Sequence, residues 1–415
     1  MGPLLLSRKV VDIRVLVCGG GNAAHVLVPT IKHACGAWVG LFTLLEDEAR
    51  LLEPSCAQGI TAVYESEQIC APPDAVHYRP ERIVPEADVI ILAVPAFAHD
   101  TVVRAIAPYV QEGAWLGAMP SRSGFEFYRC ERHLRHRHIL LFGYQTLPWA
   151  CRIEEYGRRV RVMGEKACVG VSTSPPDASG DVAALLARLT GVPTRNVGCM
   201  AAISLGNVGQ VIHPTIMYGL FKEKEDIRYT ERDVPLFYQS MDDNTARELE
   251  MVSEEVVSGA HALAEMSDGI LDLSEVVGLR QWITQSYYDQ IEDKSSLRSC
   301  FVTNRAYNML KAPVVRQPDG TFVPDFRSRY LTEDVPFGLL VSRGICHICG
   351  VMTPKIDEVI ETTSRWMGYE FLVDGLPTGR HLGNSRHPLV FDIKSVAELI
   401  ATNLWECRVL EPRER

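Results

Sequence analysis

The chain has 415 residues, 47 % hydrophobic and 23 % charged, the balance of an ordinary globular protein with room for two or three domains. Its 42 Lys and Arg against 52 Asp and Glu leave a net charge of −10, which argues against nucleic acid as a partner. No apolar run approaches the ~20 residues of a membrane span, so no membrane partner is expected either.

The chain opens with Leu4-Leu5-Leu6, too short a run for the core of a signal peptide. Met1-Gly2 is a poor myristoylation start, because Leu6 stands where Ser or Thr is wanted. The run Ile13-Arg14-Val15-Leu16-Val17-Cys18 is apolar and β-branched enough for a buried parallel strand. Gly19-Gly20-Gly21-Asn22-Ala23-Ala24 follows at once, with Gly19, Gly21 and Ala24 on the G-x-G-x-x-G/A spacing. In that motif the first position turns the chain, the second lets backbone approach a pyrophosphate, and the third packs helix against strand. The helix N-terminus offers its N–H groups and positive dipole end to the phosphates.

The next strand is expected over Trp38-Val39-Gly40-Leu41-Phe42-Thr43. A ribose-binding acid belongs at its end. Leu44 and Leu45 stand there instead, and Glu46, Asp47 and Glu48 come slightly late. They either reach the ribose or simply start a helix. No basic pair is there to meet a 2′-phosphate, which favours NAD over NADP.

A hairpin region is expected over 59–64 and a buried strand at Val89 to Val94. A helix over 96–110 and a strand over 114–119 come next, then a helix near 125–134 and a strand over 138–142. This alternation implies an α/β Rossmann domain with a doubly wound, mainly parallel sheet. Two loops leaving strand ends, Val94-Pro95-Ala96 and Met119-Pro120-Ser121-Arg122, should border the cofactor. The basic cluster of Arg132, His133, Arg135, His136, Arg137 and His138 reads as the solvated end of a surface helix.

From about Ala202 the apolar spacing becomes helical, as in Leu249, Val252, Val256, Ala260 and Leu263. Residues 1–200 are therefore expected to form the cofactor domain and 201–415 an all-α domain. The twelve cysteines are scattered, several inside expected strands or helices, as in a reduced cytoplasmic protein. Cys346-His347-Ile348-Cys349 has no second pair, so no metal site is expected.

Two places in the helical half could carry chemistry. His213 precedes Pro214, which removes a backbone donor and disturbs the helix. It reads equally as a buried structural histidine or a catalytic one. In Arg329-Tyr330-Leu331-Thr332-Glu333-Asp334-Val335-Pro336, Thr332 fits an N-cap with two acids in the first turn, and Arg329 lies in a loop before it. Residue by residue this is a capped helix with surface charges. Taken together, His213, Asp334 and Arg329 match what reduction of a carbonyl or imine requires: a proton donor, a carboxylate to hold its tautomer, and a guanidinium to grip a 2-oxo acid.

At this point the chain resembles the opine dehydrogenases of marine invertebrates. The resemblance rests on Val17 to Asn22, Val94 to His99, Pro120 to Phe127, Thr146 to Ile153, His213-Pro214, Arg329 to Asp334 and Tyr369 to Gly375. It implies a Rossmann domain followed by an all-α opine-dehydrogenase domain. It also implies NADH-dependent reductive condensation of pyruvate with an amino acid, by a monomer that regenerates NAD⁺ in anaerobic glycolysis. By that resemblance His213 exchanges the proton, Asp334 is its partner, and Arg329 binds the pyruvate carboxylate. Asn207 faces the amino-acid side, and Thr146 and Cys151 line the junction of substrate and cofactor. The cofactor set is Gly19 to Ala24, Leu45, Glu46, Pro95 and Cys151.

Two departures bear on the amino acid. Arginine-using members carry Glu where this chain has Gln145, so arginine should be a poor substrate. Arg122 replaces a Gln, which suits an amine with a small acidic end: taurine, β-alanine, glycine or alanine. A cofactor phosphate contact or a solvated loop residue are the other readings of Arg122. The rival enzyme is a 2-oxo or 2-hydroxy acid dehydrogenase of similar build, and the rival of another class is a non-catalytic NAD(H)-binding protein.

Overall fold

A computed structural model describes residues 9–405; the Leu4 to Leu6 run and the Met1-Gly2 start lie outside the described residues. The chain forms two compact units, one of residues up to Ile203 that resumes at Ala397, the other Ser204–Val396.

The first unit begins with β1 (Arg14–Cys18), α1 (Asn22–Cys35), β2 (Trp38–Phe42) and α2 (Glu46–Cys56). It continues with β3 (Ile60–Val63), β4 (Gln68–Ala71), β5 (Ala75–His77), the short α3 (Pro80–Ile83), β6 (Val89–Leu92) and α4 (Ala96–Ile106). Then come β7 (Trp115–Ala118), β8 (Leu140–Tyr144), β9 (Trp149–Glu155), β10 (Arg159–Glu165), β11 (Val169–Ser174), α5 (Ser179–Thr190), β12 (Thr194–Cys199) and α6 (Met200–Leu205).

The main sheet has the order β12-β11-β8-β7-β6-β1-β2-β5. Every pairing in it is parallel except β8 with β11. The central strands are apolar on both faces because helices cover both; β6 and β7 are buried along their whole length. Val15, Val17, Leu27, Ile31, Leu41, Ile91, Phe142 and Leu186 are fully buried in its core. Each such side chain contributes about 1.5–3 kcal/mol on leaving water. The chain leaves β1 toward β2 on one side and pairs β6 on the other, so a switch point opens beside β1. The carboxyl ends of β1, β6, β7 and β8 fall along one edge of the sheet.

Some expectations need correction. The helix expected near 125–134 is one short 3-10 segment, Phe125–Cys130, followed by turns. The hairpin region expected over 59–64 holds β3 alone, which pairs with β4 and β10 in a second sheet, β4-β3-β10-β9, that the sequence does not announce.

The second unit holds α7 (Val208–Phe221), α8 (Asp243–Met266), α9 (Leu279–Tyr287) and α10 (Leu297–Val302). A small ribbon of β13 (Val314–Arg316) and β14 (Phe322–Pro324) separates these from α11 (Arg329–Thr332), α12 (Leu340–Ile348) and α13 (Pro354–Met367). The last helix, α14 (Val396–Leu404), falls with the first unit and not within the all-α unit expected to run to 415. Ser174 Oγ donates to Thr402 O at 2.7 Å, and Asn403 Oδ1 accepts from Ala201 N at 2.9 Å. These bonds satisfy a hydroxyl at the end of β11 and a free N–H in the first turn of α6. Cys346 and Cys349 are free thiols buried around α12, and burial pushes their pKa values up to about 12 and about 11.

His387 is buried in the second unit, and its Nε2 has no hydrogen-bond partner among the described residues. Burial, with Arg343 nearby, pushes its pKa down to about 3. The unfolded chain therefore binds a proton below about pH 6.5 that the folded protein refuses. Stability should fall as pH drops through that window, by roughly 2 kcal/mol for this group alone at pH 5. Urea unfolding at pH 7 and pH 5 checks this. The wild-type loss should exceed that of His387→Asn by about that amount, and equal losses would refute it.

Candidate active site

Gly19 follows β1, and its N–H donates to Phe42 O at 2.7 Å. Its φ is +124°, and an added Cβ would lie 2.8 Å from Ala93 O. Only glycine fits there. A Cβ on Gly20 would strike the Glu48 carboxylate and the Tyr156 hydroxyl. Gly21 is the N-cap of α1 and differs from both: nothing lies within 4 Å of where its Cβ would be, and no side chain caps the helix. The first turn of α1 therefore has N–H groups available beside open space, which fits a pyrophosphate.

Three side chains tie the start of α1 and the first turn of α2 to β9 and to the turn that follows it. Asn22 Oδ1 accepts from Ile153 N at 2.8 Å, which leaves its backbone N–H and its side-chain NH₂ as donors. His25 Nε2 accepts from Gly157 N at 2.8 Å while Nδ1 lies 3.0 Å from Gly21 O. That pair of contacts needs the neutral ring, and burial lowers the His25 pKa accordingly. Tyr156 donates to Glu48 Oε1 at 2.8 Å.

Of the two readings of the acids after β2, the structure displays a helix start. Glu46 opens α2 and is ion-paired with Arg50, while Glu48 turns inward. Leu45 is 65 % exposed beside them. Pro95 is the N-cap of α4 at the end of β6. Arg122, after β7, is half-buried with a φ of +58°, a left-handed conformation uncommon for a non-glycine residue. Gln145 and Thr146 leave the end of β8, and the Gln145 side chain lies over Gly170, where a Cβ would meet its Oε1 at 2.8 Å. Cys151, half-buried in β9, has its pKa pushed up to about 11 by burial.

In the second unit, His213 lies in mid-α7, and the helix continues across Pro214. Its Nδ1 is 2.8 Å from Asp334 Oδ2. A carboxylate only accepts, so Nδ1 carries the proton and Nε2 is left for other work. Asp334 is buried and the imidazole is partly exposed, so the pair has a protected side and an accessible side. Asn207, the N-cap of α7, caps nothing with its side chain, and its Nδ2 is buried without a partner among the described residues. Asn207 Oδ1 and His213 both lie within 3.5 Å of a Cβ built on Gly209, so they share one face of α7.

The segment 329–340 differs from the expected capped helix. Thr332 is not an N-cap: it ends α11 and donates to Ser328 O. The helical path then runs through a π-turn, Val335–Leu339, into α12, with Phe337 off the helical backbone at φ −112°. Such turns re-aim side chains at sites. Arg329 starts α11 instead of lying in a loop, and its Nε donates to Glu333 Oε2 at 2.8 Å. Its side chain stays 66 % exposed. The sequence reading gave Tyr330 no role, yet its ring stacks on the His213 imidazole at 4.1 Å and 8°. Phe237 packs on Tyr330 at 4.8 Å.

A switch point with an uncapped glycine turn, in a chain that also holds a carboxylate-backed histidine, defines a nucleotide-dependent oxidoreductase. The chain belongs to the opine dehydrogenase family. Residues 196–367 match the family model "NAD/NADP octopine/nopaline dehydrogenase, alpha-helical domain". Octopine dehydrogenase of Pecten maximus is 36 % identical over 386 residues, covering 91 % of this chain and 96 % of the relative. Tauropine dehydrogenase of Arabella iricolor is 33 % identical over 397 residues, covering 92 % and 99 %. A solved octopine dehydrogenase with NADH and L-arginine has a TM-score of 0.89 at 32 % identity, covering 97 % of this chain and 100 % of that one. Overall identity to the octopine and tauropine relatives is nearly equal, so the amino substrate must be argued from individual residues. Among the described residues no helix is long and apolar enough to cross a membrane.

Proposed function

We propose that the protein condenses pyruvate with a small acid-ended amino acid and reduces the product to an opine. The amine is taurine, β-alanine, glycine or alanine in preference to arginine. The protein acts as a cytosolic monomer that regenerates NAD⁺ in anaerobic glycolysis. The observation that carries the catalytic part is the 2.8 Å contact of His213 with buried Asp334.

The first unit fits NADH at the open turn. Backbone of Gly19 to Ala24 would hold the pyrophosphate, with Leu45, Glu46, Pro95 and Cys151 around the remainder. NADH, when bound, supplies the hydride. His213 holds the proton that the substrate gains and presents it from Nε2, since Asp334 keeps the other nitrogen protonated. Arg329 binds the pyruvate carboxylate, held in aim by Glu333. Asn207 orients the amine with its unpaired donor, and Thr146 lines the junction of substrate and cofactor.

Gln145 and Arg122 carry the choice of amine. A guanidinium opposite a neutral amide lacks a charge-assisted bond worth about 1.5–3 kcal/mol. Gln145→Glu should therefore raise kcat/KM for arginine by roughly 10- to 100-fold. The decisive assay is NADH oxidation with pyruvate, with and without taurine, glycine, alanine, β-alanine and arginine. Oxidation that needs both pyruvate and a small amino acid supports the proposal. Strong wild-type activity with arginine would overturn the reading of Gln145, and oxidation with pyruvate alone would favour the 2-oxo acid dehydrogenase rival.

A further inference from the structure

The carboxyl edge of the main sheet carries a cation that the preceding roles do not use. Lys166 follows β10, and its backbone N–H donates to Pro148 O at 2.9 Å. Its Nζ donates to Thr146 Oγ1 at 2.8 Å. That hydroxyl leaves the end of β8, so the ammonium is fixed at that end of the sheet. No carboxylate pairs with Lys166, nor with Arg152 of β9, among the described residues, whereas Arg158, Arg159 and Arg161 have acidic partners. The side chain is exposed, yet protein crowds it enough that burial lowers its pKa. An unpaired cation held by a hydroxyl is poised for an incoming anion.

The cofactor phosphates are one source of such an anion, and the sheet order argues against them. The phosphate turn follows β1, and β8 is three strands away through β6 and β7. At about 4.8 Å per strand the end of β8 lies roughly 14 Å from the end of β1. That distance puts Lys166 on the side of the sheet where substrate, not pyrophosphate, is expected. Gln145, adjacent to Thr146, already bears on the amine.

We propose that Lys166 is a specificity-determining residue whose ammonium takes the carboxylate or sulfonate of the amino substrate. The assignment rests on the reading above that the amine is small and acid-ended. It also gives Thr146 a defined task, which is to hold that ammonium in place.

Steady-state kinetics of Lys166→Met, Lys166→Gln and Lys166→Arg test this, with taurine, β-alanine and alanine each paired with pyruvate and NADH. Loss of a charge-assisted contact should raise the KM of the amino substrate by about 10- to 100-fold in the Met and Gln variants. The kcat, the KM of pyruvate and the NADH Kd from fluorescence titration should change little, and Lys166→Arg should recover most of the loss. Arg122→Gln is run alongside as the neighbouring cation. An unchanged amine KM in Lys166→Met, with the wild type active, would overturn this assignment alone. A rise in pyruvate KM or NADH Kd instead would also overturn it, by moving the cation to another ligand. A wild type inactive with every acid-ended amine would overturn the substrate reading and this assignment together.

Discussion

His213→Ala is expected to lower kcat by about 10²- to 10⁴-fold while NADH binds with unchanged affinity. The imidazole is the accessible half of a pair whose other half, Asp334, is buried. Removing it takes away the proton donor without touching the glycine turn, which is built by the other unit. Asp334→Asn should cost a similar factor. An amide can present its NH₂ to Nδ1, which would move the imidazole proton to Nε2 and spoil its role. The double variant should be little worse than either single one, because the two residues act as a unit. Stopped-flow turnover and NADH fluorescence titration measure both quantities. Turnover that survives in His213→Ala would remove this residue from the reaction.

The second large effect separates two glycines only two residues apart. Gly21→Ala should leave the melting temperature within a degree or two of wild type and weaken NADH binding by roughly 10-fold or more. Its Cβ meets no protein atom within 4 Å, and the backbone there, at φ −86°, is open to any residue. The methyl group would stand where the backbone must approach the pyrophosphate. Gly19→Ala should instead destabilise the fold itself, by about 1–3 kcal/mol for the left-handed backbone before the clash with Ala93 is counted. Thermal melts and NADH titrations of the two variants should show opposite patterns. Equal loss of stability in both would refute the distinction.

These cases show what the sequence makes legible. The glycine turn could be read because strand, turn and helix are local and each leaves a compositional mark. His213 and Asp334 could be brought together only through the roles that the chemistry requires and a family pattern, since nothing local links residues so far apart in the chain. Tyr330 was missed for the same reason: its stack on His213 is a tertiary contact with no periodic signal. Glu333 was within reach. Arg329 and Glu333 stand at i and i+4, the spacing of a helical ion pair, but placing Arg329 in a loop hid it. The second sheet was missed although Val160 and Val162 alternate with exposed Arg161 and Met163. With one covered face and several charges, β10 reads as a polar segment rather than a strand.

The return of α14 to the first unit has a consequence for how the molecule is made. The Ser174 hydroxyl and the Ala201 N–H take their partners from Thr402 and Asn403, about 200 residues later in synthesis. A nascent chain that has emerged as far as the glycine turn and the whole main sheet still lacks this closing helix. The nucleotide-binding unit thus reaches its final form only after the whole second unit has been made, although its own sequence begins first. A fragment cut after Ile203 would expose the apolar ground that Leu399 and Ala401 cover, and should come out of the cell as aggregate rather than as a small binding protein.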